Sequence, residues 1–301
     1  MDRFHLLTVY VAVAEEEGFA AAARRLEMSA PAVTRAVAAL EEHLGVKLLN
    51  RTTRYVRATE AGLRYLEDAK RILTAMESAD AAVSGITATP RGELSITAPV
   101  LFGNRFVTPV VVDYLQRYPE TRVSALFLDR VVNLMEEGID IGIRIGELPD
   151  SSMRALRVGE IHHLVCASPA YLAKHGAPEV PEQLQQHCII NSRAGDFSTD
   201  WHFHTPDGSE RSVRLKPRMT VTSNDASITA TCQGLGISRI LSYQVEEQIE
   251  DGRLVRLLND YEPKPLPVHI LHREGRFTNA KVRAFVDLLA SELRAQPILN
   301  P

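Results

Sequence analysis

The chain has 301 residues, of which 45% are hydrophobic and 24% are charged. These proportions are typical of a globular protein with a sizeable core, and the length suffices for about two domains. The net charge of −4 at pH 7 excludes a uniformly basic nucleic-acid binder. Residues 28–58, however, carry five basic and two acidic side chains, and this local charge of +3 is enough to engage phosphate.

Cysteine usage and the first residues indicate a compartment. Cys166, Cys188 and Cys232 lie far apart without CxxC spacing, which predicts reduced thiols. The glutamates at 15–17 close the first apolar segment, so no signal peptide is expected. No apolar run approaches the 18 or more residues that span a bilayer. The sequence therefore predicts a cytoplasmic protein without a membrane partner.

The first 26 residues contain two short helical patterns. Phe4, Leu7, Val11 and Ala14 recur at the spacing of one buried helical face, and Gly18 ends this predicted helix. The second pattern is rich in alanine, which lets two helices pack closely. Close packing of this kind is what a tight helix-turn-helix requires.

A third helix is predicted from Ser29, a suitable N-cap, to about Leu44. Pro31 falls in its first turn, where a missing N–H does no harm. The outer face of this helix is small, polar and basic around Thr34 and Arg35, and such a face fits a major groove. Taken alone, it would be an ordinary solvated helix.

A basic hairpin is predicted after Gly45, with a turn near residues 51–54. The order of two short helices, a tight turn, a capped helix and a basic hairpin favours a winged helix-turn-helix over residues 1–58. Arginines at the tip of such a wing suit phosphate or minor-groove contacts.

The stretch FAAAARRLEMSAPAVTRAVAALEEHLGVKLLNRTTRYVRATEAG, residues 19–62, resembles the signature of the LysR-type transcriptional regulators. The resemblance continues more loosely through nearly the whole chain. It implies sequence-specific binding to double-stranded promoter DNA, with RNA polymerase as a further partner if the protein activates. The implied DNA-binding residues are Ser29, Ala30, Pro31, Thr34 and Arg35, with wing contacts from Arg51 and Arg54.

One position departs from the family pattern. Many members carry glutamine where this chain has Ala30, and alanine cannot make a bidentate contact to adenine. We therefore expect base reading to depend on Thr34, Arg35 and the wing, or on contacts to a thymine methyl group.

The pattern of residues 59–90 predicts a long helix followed by a hinge. Thr59 can cap a helix that runs to about Ser84, and residues 85–92 are rich in small residues, threonine and proline. Two interpretations are open for the apolar stripe of this helix: it packs on its own domain, or it pairs with a second copy. The resemblance implies dimerisation, and hence a homodimer or homotetramer. The stripe consists of Leu66, Ala69, Leu73, Met76 and Val83.

Residues 91–301 alternate between strand and helix patterns. Strands are predicted at 93–98, 121–129 and 139–146, with helices at 101–117 and 133–138. This order predicts an α/β domain with parallel strands. The resemblance implies a bilobal, periplasmic-binding-protein-like effector domain. Lobe I would cover about 92–160 and 268–301, and lobe II about 161–267.

The resemblance also implies a small-molecule effector in the cleft between the lobes. Each candidate contact could instead be a helix cap or a loop residue, so they form a hypothesis only as a cluster. Arg144 near the cleft favours an anionic effector. The candidate effector-binding residues are Thr97, Pro99, Val100, Phe102, Arg144, Ser168, Asn191, Asn224 and Asp225.

Other functional motifs are weak. The pairs His162/His163 and His202/His204 lack the spacing of a metal site, and no nucleotide-binding or hydrolase motif occurs. No cofactor, metal or catalytic residue is predicted. The alternative is an enzyme or a solute-binding protein that uses the bilobal domain, with the N-terminus as an interaction module. Such a solute carrier needs an export signal, and an enzyme needs a recognisable acid, base or nucleophile set.

Overall fold

The computed structural model describes residues 2–51, 56–83, 89–148, 153–192, 198–205, 207–273 and 279–300. The chain forms two compact units, Met1–Ala88 and Thr89–Pro301. Within the described residues, we find no helix with the length and apolar character that crossing a membrane requires. The predicted wing tip, with Arg54, and half of the predicted hinge, residues 85–88, lie outside the described residues.

The N-terminal unit is a winged helix-turn-helix followed by a long helix, as the sequence predicts. Ser29 caps the third helix by accepting the N–H of Ala32, and Gly45 ends it in the left-handed region with φ 68°. The short strands pair antiparallel. The elements are α1 Arg3–Glu15, α2 Phe19–Arg25, α3 Ala30–Leu44, β1 Leu49–Arg51, β2 Val56–Ala58 and α4 Glu60–Val83.

One continuous core holds this unit together. The inner side of α3 is completely buried at Val33, Val37 and Leu40. Phe4, predicted on the inner face of α1, is instead 38% exposed, because the buried part of α1 begins at Leu6.

Three residues of the apolar stripe of α4 are covered by their own unit. Ala69 is fully buried, and Leu66 and Leu73 pack against the N-terminal core. The predicted pairing of the stripe with a second copy stays a prediction. Met76, predicted on the same stripe, remains exposed, as does Ile72 four residues earlier. The side chain of Val83 lies outside the described residues.

The second unit contains many short elements. Its strands are β3 Gly92–Ala98, β4 Thr121–Phe127, β5 Ile141–Ile145, β6 Met153–Ile161, β7 His163–Ala167, β8 Ile189–Ser192, β9 Asp200–His204, β10 Glu210–Arg214, β11 Met219–Val221, β12 Ile237–Leu241, β13 Val255–Leu257 and β14 Leu266–Arg273. Its helices are α5 Val100–Phe102, α6 Thr108–Arg117, α7 Pro169–His175, α8 Asn224–Cys232, α9 Glu246–Glu250 and α10 Ala280–Ala295.

Two mixed sheets form the lobes. Lobe I has the order β4-β3-β5-β14-β6, and lobe II has the order β11-β8-β12-β7-β13. In lobe I, β3 runs parallel to β4 and β5, whereas β14 is antiparallel to β5 and β6. The expectation of purely parallel strands is thus only partly correct. The chain passes between the lobes at His162 and returns between Leu257 and Leu266.

Two segments differ from the sequence prediction. The helix after β3 contains a π-helical turn, Gly103–Val107, between α5 and α6. A Cβ on Gly103 would lie 2.5 Å from the ring of Phe127, so glycine is required by this close approach. Residues 134–138, predicted as a helix, form turns instead, because the Asn133 side chain accepts the N–H of Met135 and Gly138 has a positive φ.

Candidate DNA interface and effector site

The outer face of α3 is available to a partner. Ser29, Ala30, Pro31 and Arg35 are exposed, and Thr34 is half-buried. Within the described part of the chain, the Arg35 guanidinium has no ion pair. The predicted positions therefore share one accessible surface, opposite the fully buried side of the helix.

The two hydroxyl groups on this face are partly engaged by the helix itself. Thr34 Oγ1 donates to the carbonyl of Ala30 at 2.9 Å, and Ser29 Oγ accepts the N–H of Ala32. The Thr34 oxygen can still accept a hydrogen bond, and the Ser29 hydroxyl can still donate one. The charged donor on this face is Arg35. Of the predicted wing residues, Arg51 ends β1.

In lobe I, the candidate effector residues cluster at the carboxyl end of β3. Thr97 is buried and its hydroxyl donates to the carbonyl of Leu126 at 2.7 Å. Pro99 precedes α5, and the N–H of Val100 donates to Asp129 Oδ1 at 3.0 Å. Phe102 has no exposed surface and packs against Phe106 and Tyr243. Its ring is therefore a core element in this conformation rather than part of an open cavity wall.

In lobe II, the candidates lie at strand ends and helix starts. Ser168 is buried and caps α7 by accepting the N–H of Tyr171. Asn224 and Asp225 begin α8, whose cap is Ser223 rather than either of them. Asn191, on β8, is 6% exposed, and among the described residues its Nδ2 has no hydrogen-bond partner.

Asp129 links the two sets of candidates and was missed at the sequence level. Burial raises the pKa of Asp129, and the charge of Asp225 from lobe II raises it further, whereas the hydrogen bond from Val100 lowers it. The available signal was an acidic residue just after the strand that pairs with β3.

Two family models match the chain. The bacterial regulatory helix-turn-helix protein, lysR family, matches residues 4–63, and the LysR substrate binding domain matches residues 87–294. This chain belongs to the LysR family of transcriptional regulators.

Individual relatives are similar to this chain over nearly its full length. The chain is 35% identical over 289 residues to the HTH-type transcriptional regulator CrgA of Neisseria meningitidis serogroup B, covering 95% of this chain and 96% of the relative. The solved structure of CrgA covers 96% of this chain and 98% of its own, with a TM-score of 0.62 at 34% identity. The full-length structure of the Vibrio cholerae virulence activator AphB gives a TM-score of 0.62 at 26% identity and covers 96% and 99%.

As a LysR-type regulator, the protein combines a DNA-binding helix-turn-helix with an effector-binding domain, and the family consists of regulators rather than enzymes. LysR-type regulators bind DNA and small molecules and act as oligomers. Among the described residues, no group of three or more histidine, cysteine, aspartate or glutamate side chains could hold a metal ion.

The guanidinium of Arg144 is engaged within its own lobe. It donates to the carbonyls of Ile143 at 3.2 Å and Val132 at 2.9 Å. Burial lowers the pKa of Arg144, and the charge of Glu137 partly compensates. Because the guanidinium already donates hydrogen bonds to two backbone carbonyls, Arg144 gives little support to the prediction of an anionic effector.

A polar contact also joins the lobes of the regulator. Arg105, in the π-helical turn of lobe I, donates to the carbonyl of Tyr243 at 2.7 Å and forms an ion pair with Glu246 of α9. The Tyr243 ring reaches the core of lobe I and meets the Phe102 ring edge-on at 5.4 Å between centroids. Movement of one lobe against the other must therefore strain or break these contacts.

Proposed function

We propose that the regulator reads its operator by placing the outer face of α3 in the major groove. Thr34 and Arg35 would contact base edges, while Ser29, Ala30 and Pro31 would lie beside the backbone. Arg51 and Arg54 of the wing would neutralise flanking phosphates. The observation that carries this proposal is the exposure of this face around an Arg35 guanidinium that has no ion pair within the described residues.

The test is footprinting of the purified full-length protein on genomic DNA, followed by the variant Arg35→Ala. We expect specific affinity for the strongest site to fall about 10- to 100-fold, since a good side-chain contact to a base is worth about 1–3 kcal/mol. The slope of affinity against salt should stay steep, because the remaining phosphate contacts persist.

The matched control is Arg117→Ala, which removes the same charge from an arginine of α6 paired with Asp113. We expect its footprint to equal that of the wild type. A normal footprint from a folded Arg35→Ala protein would contradict the proposed reading face.

We further propose that the effector binds between the lobes. Thr97, Pro99 and Val100 would contribute from lobe I, and Ser168, Asn191, Asn224 and Asp225 from lobe II. The unsatisfied Nδ2 of buried Asn191 supports a polar ligand group nearby, since buried donors are rarely left unpaired. Effector binding would act by favouring one lobe arrangement over another.

Oligomer assembly, RNA polymerase and location complete the proposal. We infer that a second copy covers the exposed Ile72 and Met76 of α4, giving a homodimer or homotetramer that spans two half-sites. RNA polymerase would be a partner where the protein activates transcription. A promoter-binding regulator of this kind works in the cytoplasm.

The inferred oligomer is tested by a charge substitution at Met76. This substitution should shift the sedimentation coefficient of the full chain toward that of the monomer, whereas the same substitution at Met135 on the regulatory unit, the control, should not.

A further inference from the structure

Glu41 is a buried carboxylate on the helix that carries the proposed reading face. It lies six residues after Arg35, on the inner side of α3, and its side chain is only 2% exposed. Carboxylates are rarely buried to this degree unless they are paired. The role of Glu41 therefore follows from what its two oxygens contact.

Both oxygens of Glu41 are directed at the segment that begins the hairpin. Oε1 accepts the backbone N–H of Leu48 at 3.0 Å and of Leu49 at 3.1 Å. Oε2 pairs with Lys47 Nζ at 2.7 Å. The lysine side chain itself is 76% exposed. One side chain of α3 thus holds three successive residues at the start of β1.

The electrostatics favour a charged carboxylate at this position. Burial by itself would raise the pKa of Glu41, but the hydrogen bonds from Lys47, Leu49 and Leu48 outweigh it and hold the pKa below its usual range. Glu41 is therefore ionised at neutral pH, and its bonds to the two N–H groups are charge-assisted. Such bonds are about twice as strong as neutral ones.

The same strand segment is held from its other side by Thr59, the residue between β2 and α4. The carbonyl of Leu48 accepts the N–H of Thr59 at 2.9 Å, and Thr59 Oγ1 donates to the carbonyl of Lys47 at 2.8 Å. The start of β1 is consequently fixed between Glu41 of α3 and Thr59. Within this arrangement, Glu41 is a polar connection from the reading helix to the hairpin, beside the hydrophobic core that the two share.

We propose that Glu41 is a positioning residue for DNA recognition: it sets the distance and angle between α3 and the β1–β2 hairpin so that both meet the same duplex. This inference rests on the proposed reading face of α3. Glu41 contacts no DNA itself, because its carboxylate is buried beneath the hairpin. Its contribution is the pre-organised geometry of two elements that must bind DNA together.

The test uses full-length protein and the duplex that carries the strongest wild-type footprint, with a random duplex of equal length for comparison. Glu41→Gln keeps the size and one acceptor oxygen but removes the charge. Glu41→Asp keeps the charge but is one methylene too short to reach both N–H groups. Glu42→Gln is the matched control, because Glu42 is an exposed neighbour on the same helix and loses the same charge.

All binding is measured at a temperature where circular dichroism shows each variant folded. We expect Glu41→Gln and Glu41→Asp to lose about 5- to 10-fold in specific affinity, the equivalent of one typical hydrogen bond. The affinity of both Glu41 variants for the random duplex should match that of the Glu42→Gln protein. Hydroxyl-radical protection should be lost at the flanks of the site, while guanine-methylation interference at its centre persists. If one variant does not fold, the other carries the comparison.

The outcomes separate this inference from the proposed function. If Arg35→Ala also retains the wild-type footprint, the reading face is wrong and the inference fails with it. If Arg35→Ala loses the footprint while both folded Glu41 variants keep wild-type affinity and flank protection, only the positioning role is overturned. A loss of affinity that disappears on cooling would show that Glu41 acts through stability alone, which also contradicts the proposal.

Discussion

The N-terminal unit and the regulatory unit differ in how their parts are joined. In the N-terminal unit, one hydrophobic core continues from α1 through α3 into the first half of α4, and Glu41 and Tyr10 add polar contacts between elements. In the regulatory unit, the sheets of the two lobes have separate cores, connected by Arg105, Tyr243 and the passages of the chain.

This difference corresponds to two physical requirements. A surface that reads DNA needs helix and hairpin at a fixed mutual geometry, which a continuous core supplies. A sensor needs arrangements of similar free energy, which separate cores with few connections permit. The comparison predicts that substitutions at inter-element contacts cost most in the N-terminal unit and least between the lobes.

The largest effect is expected for Gly62→Ala in the first turn of α4. A Cβ at this position would lie 2.0 Å from the carbonyl oxygen of Leu48, and Tyr10 donates a 2.7 Å hydrogen bond to the carbonyl of Gly62. Helix propensity alone would make alanine more stable by about 1 kcal/mol. The steric conflict reverses the sign, and we expect a loss of about 3 kcal/mol in the unfolding free energy of the N-terminal unit, measured by urea denaturation.

Gly18→Ala is the control for this substitution. A Cβ there would meet its nearest neighbour at 3.5 Å, an ordinary contact, so the loss should be within about 1 kcal/mol. Equal losses for the two variants, or a stabilised Gly62→Ala protein, would contradict the close approach between α4 and β1.

The sequence predicted the elements whose signals are local. The cap at Ser29 and the stop at Gly45 are properties of a few neighbouring residues, and the structure confirms the bounds of α3 that they imply. The winged helix-turn-helix followed from the order of such elements. In contrast, the side of α4 that faces its own unit depends on α1 and β1, so the apolar stripe alone could not show what covers Leu66 and Leu73.

The regulatory unit depends more on contacts between distant residues. Strand β6 was not predicted, because it is defined by pairing with β14, which lies more than 100 residues away. Asp129 is held by Val100, 29 residues earlier, and the charge of Asp225 in the other lobe helps to raise its pKa. Phe102 was predicted to line a cavity because it follows a strand end, but the insertion of Tyr243 from lobe II makes it part of the core.

A smaller effect is expected for Arg105→Gln, which removes the ion pair with Glu246 and weakens the bond to the carbonyl of Tyr243. Because both side chains are partly exposed, we expect a loss of about 1–2 kcal/mol in the unfolding free energy of the regulatory unit. Unfolding of the N-terminal unit should not change. If the contact restrains lobe movement, backbone amide hydrogen exchange in α9 should be faster in the variant than in the wild type under native conditions, where exchange occurs by local opening.

The control is Arg117→Gln, whose partner Asp113 lies one turn away in the same helix. An exposed pair of this kind contributes about 0.3–0.5 kcal/mol. A loss in Arg105→Gln no larger than that of the control, with unchanged exchange in α9, would show that Arg105 does not restrain the lobes.

The smallest effect, of opposite sign, is expected for Asp129→Asn. The asparagine oxygen can still accept the N–H of Val100, while the repulsion from Asp225 and the cost of burying a charge are removed. Since burial raises the folded pKa of Asp129 above its unfolded value, the carboxyl stabilises the fold most at low pH and loses that contribution as the pH rises through the folded pKa. After solvent screening, the variant should be more stable than the wild type by less than about 1 kcal/mol at pH 7.

The difference between Asp129→Asn and the wild type should vanish below about pH 3.5, where both carry an uncharged group. Asp113→Asn provides the contrast, because it removes the carboxylate that pairs with Arg117 and should lower stability by a few tenths of a kcal/mol at pH 7. Thermal unfolding at pH 7 and below about pH 3.5 distinguishes the gain in stability expected for Asp129→Asn from the loss expected for Asp113→Asn. If Asp129→Asn were less stable than the wild type at pH 7, the Val100 bond would require the charge, and Asp129 would hold lobe I together rather than repel lobe II.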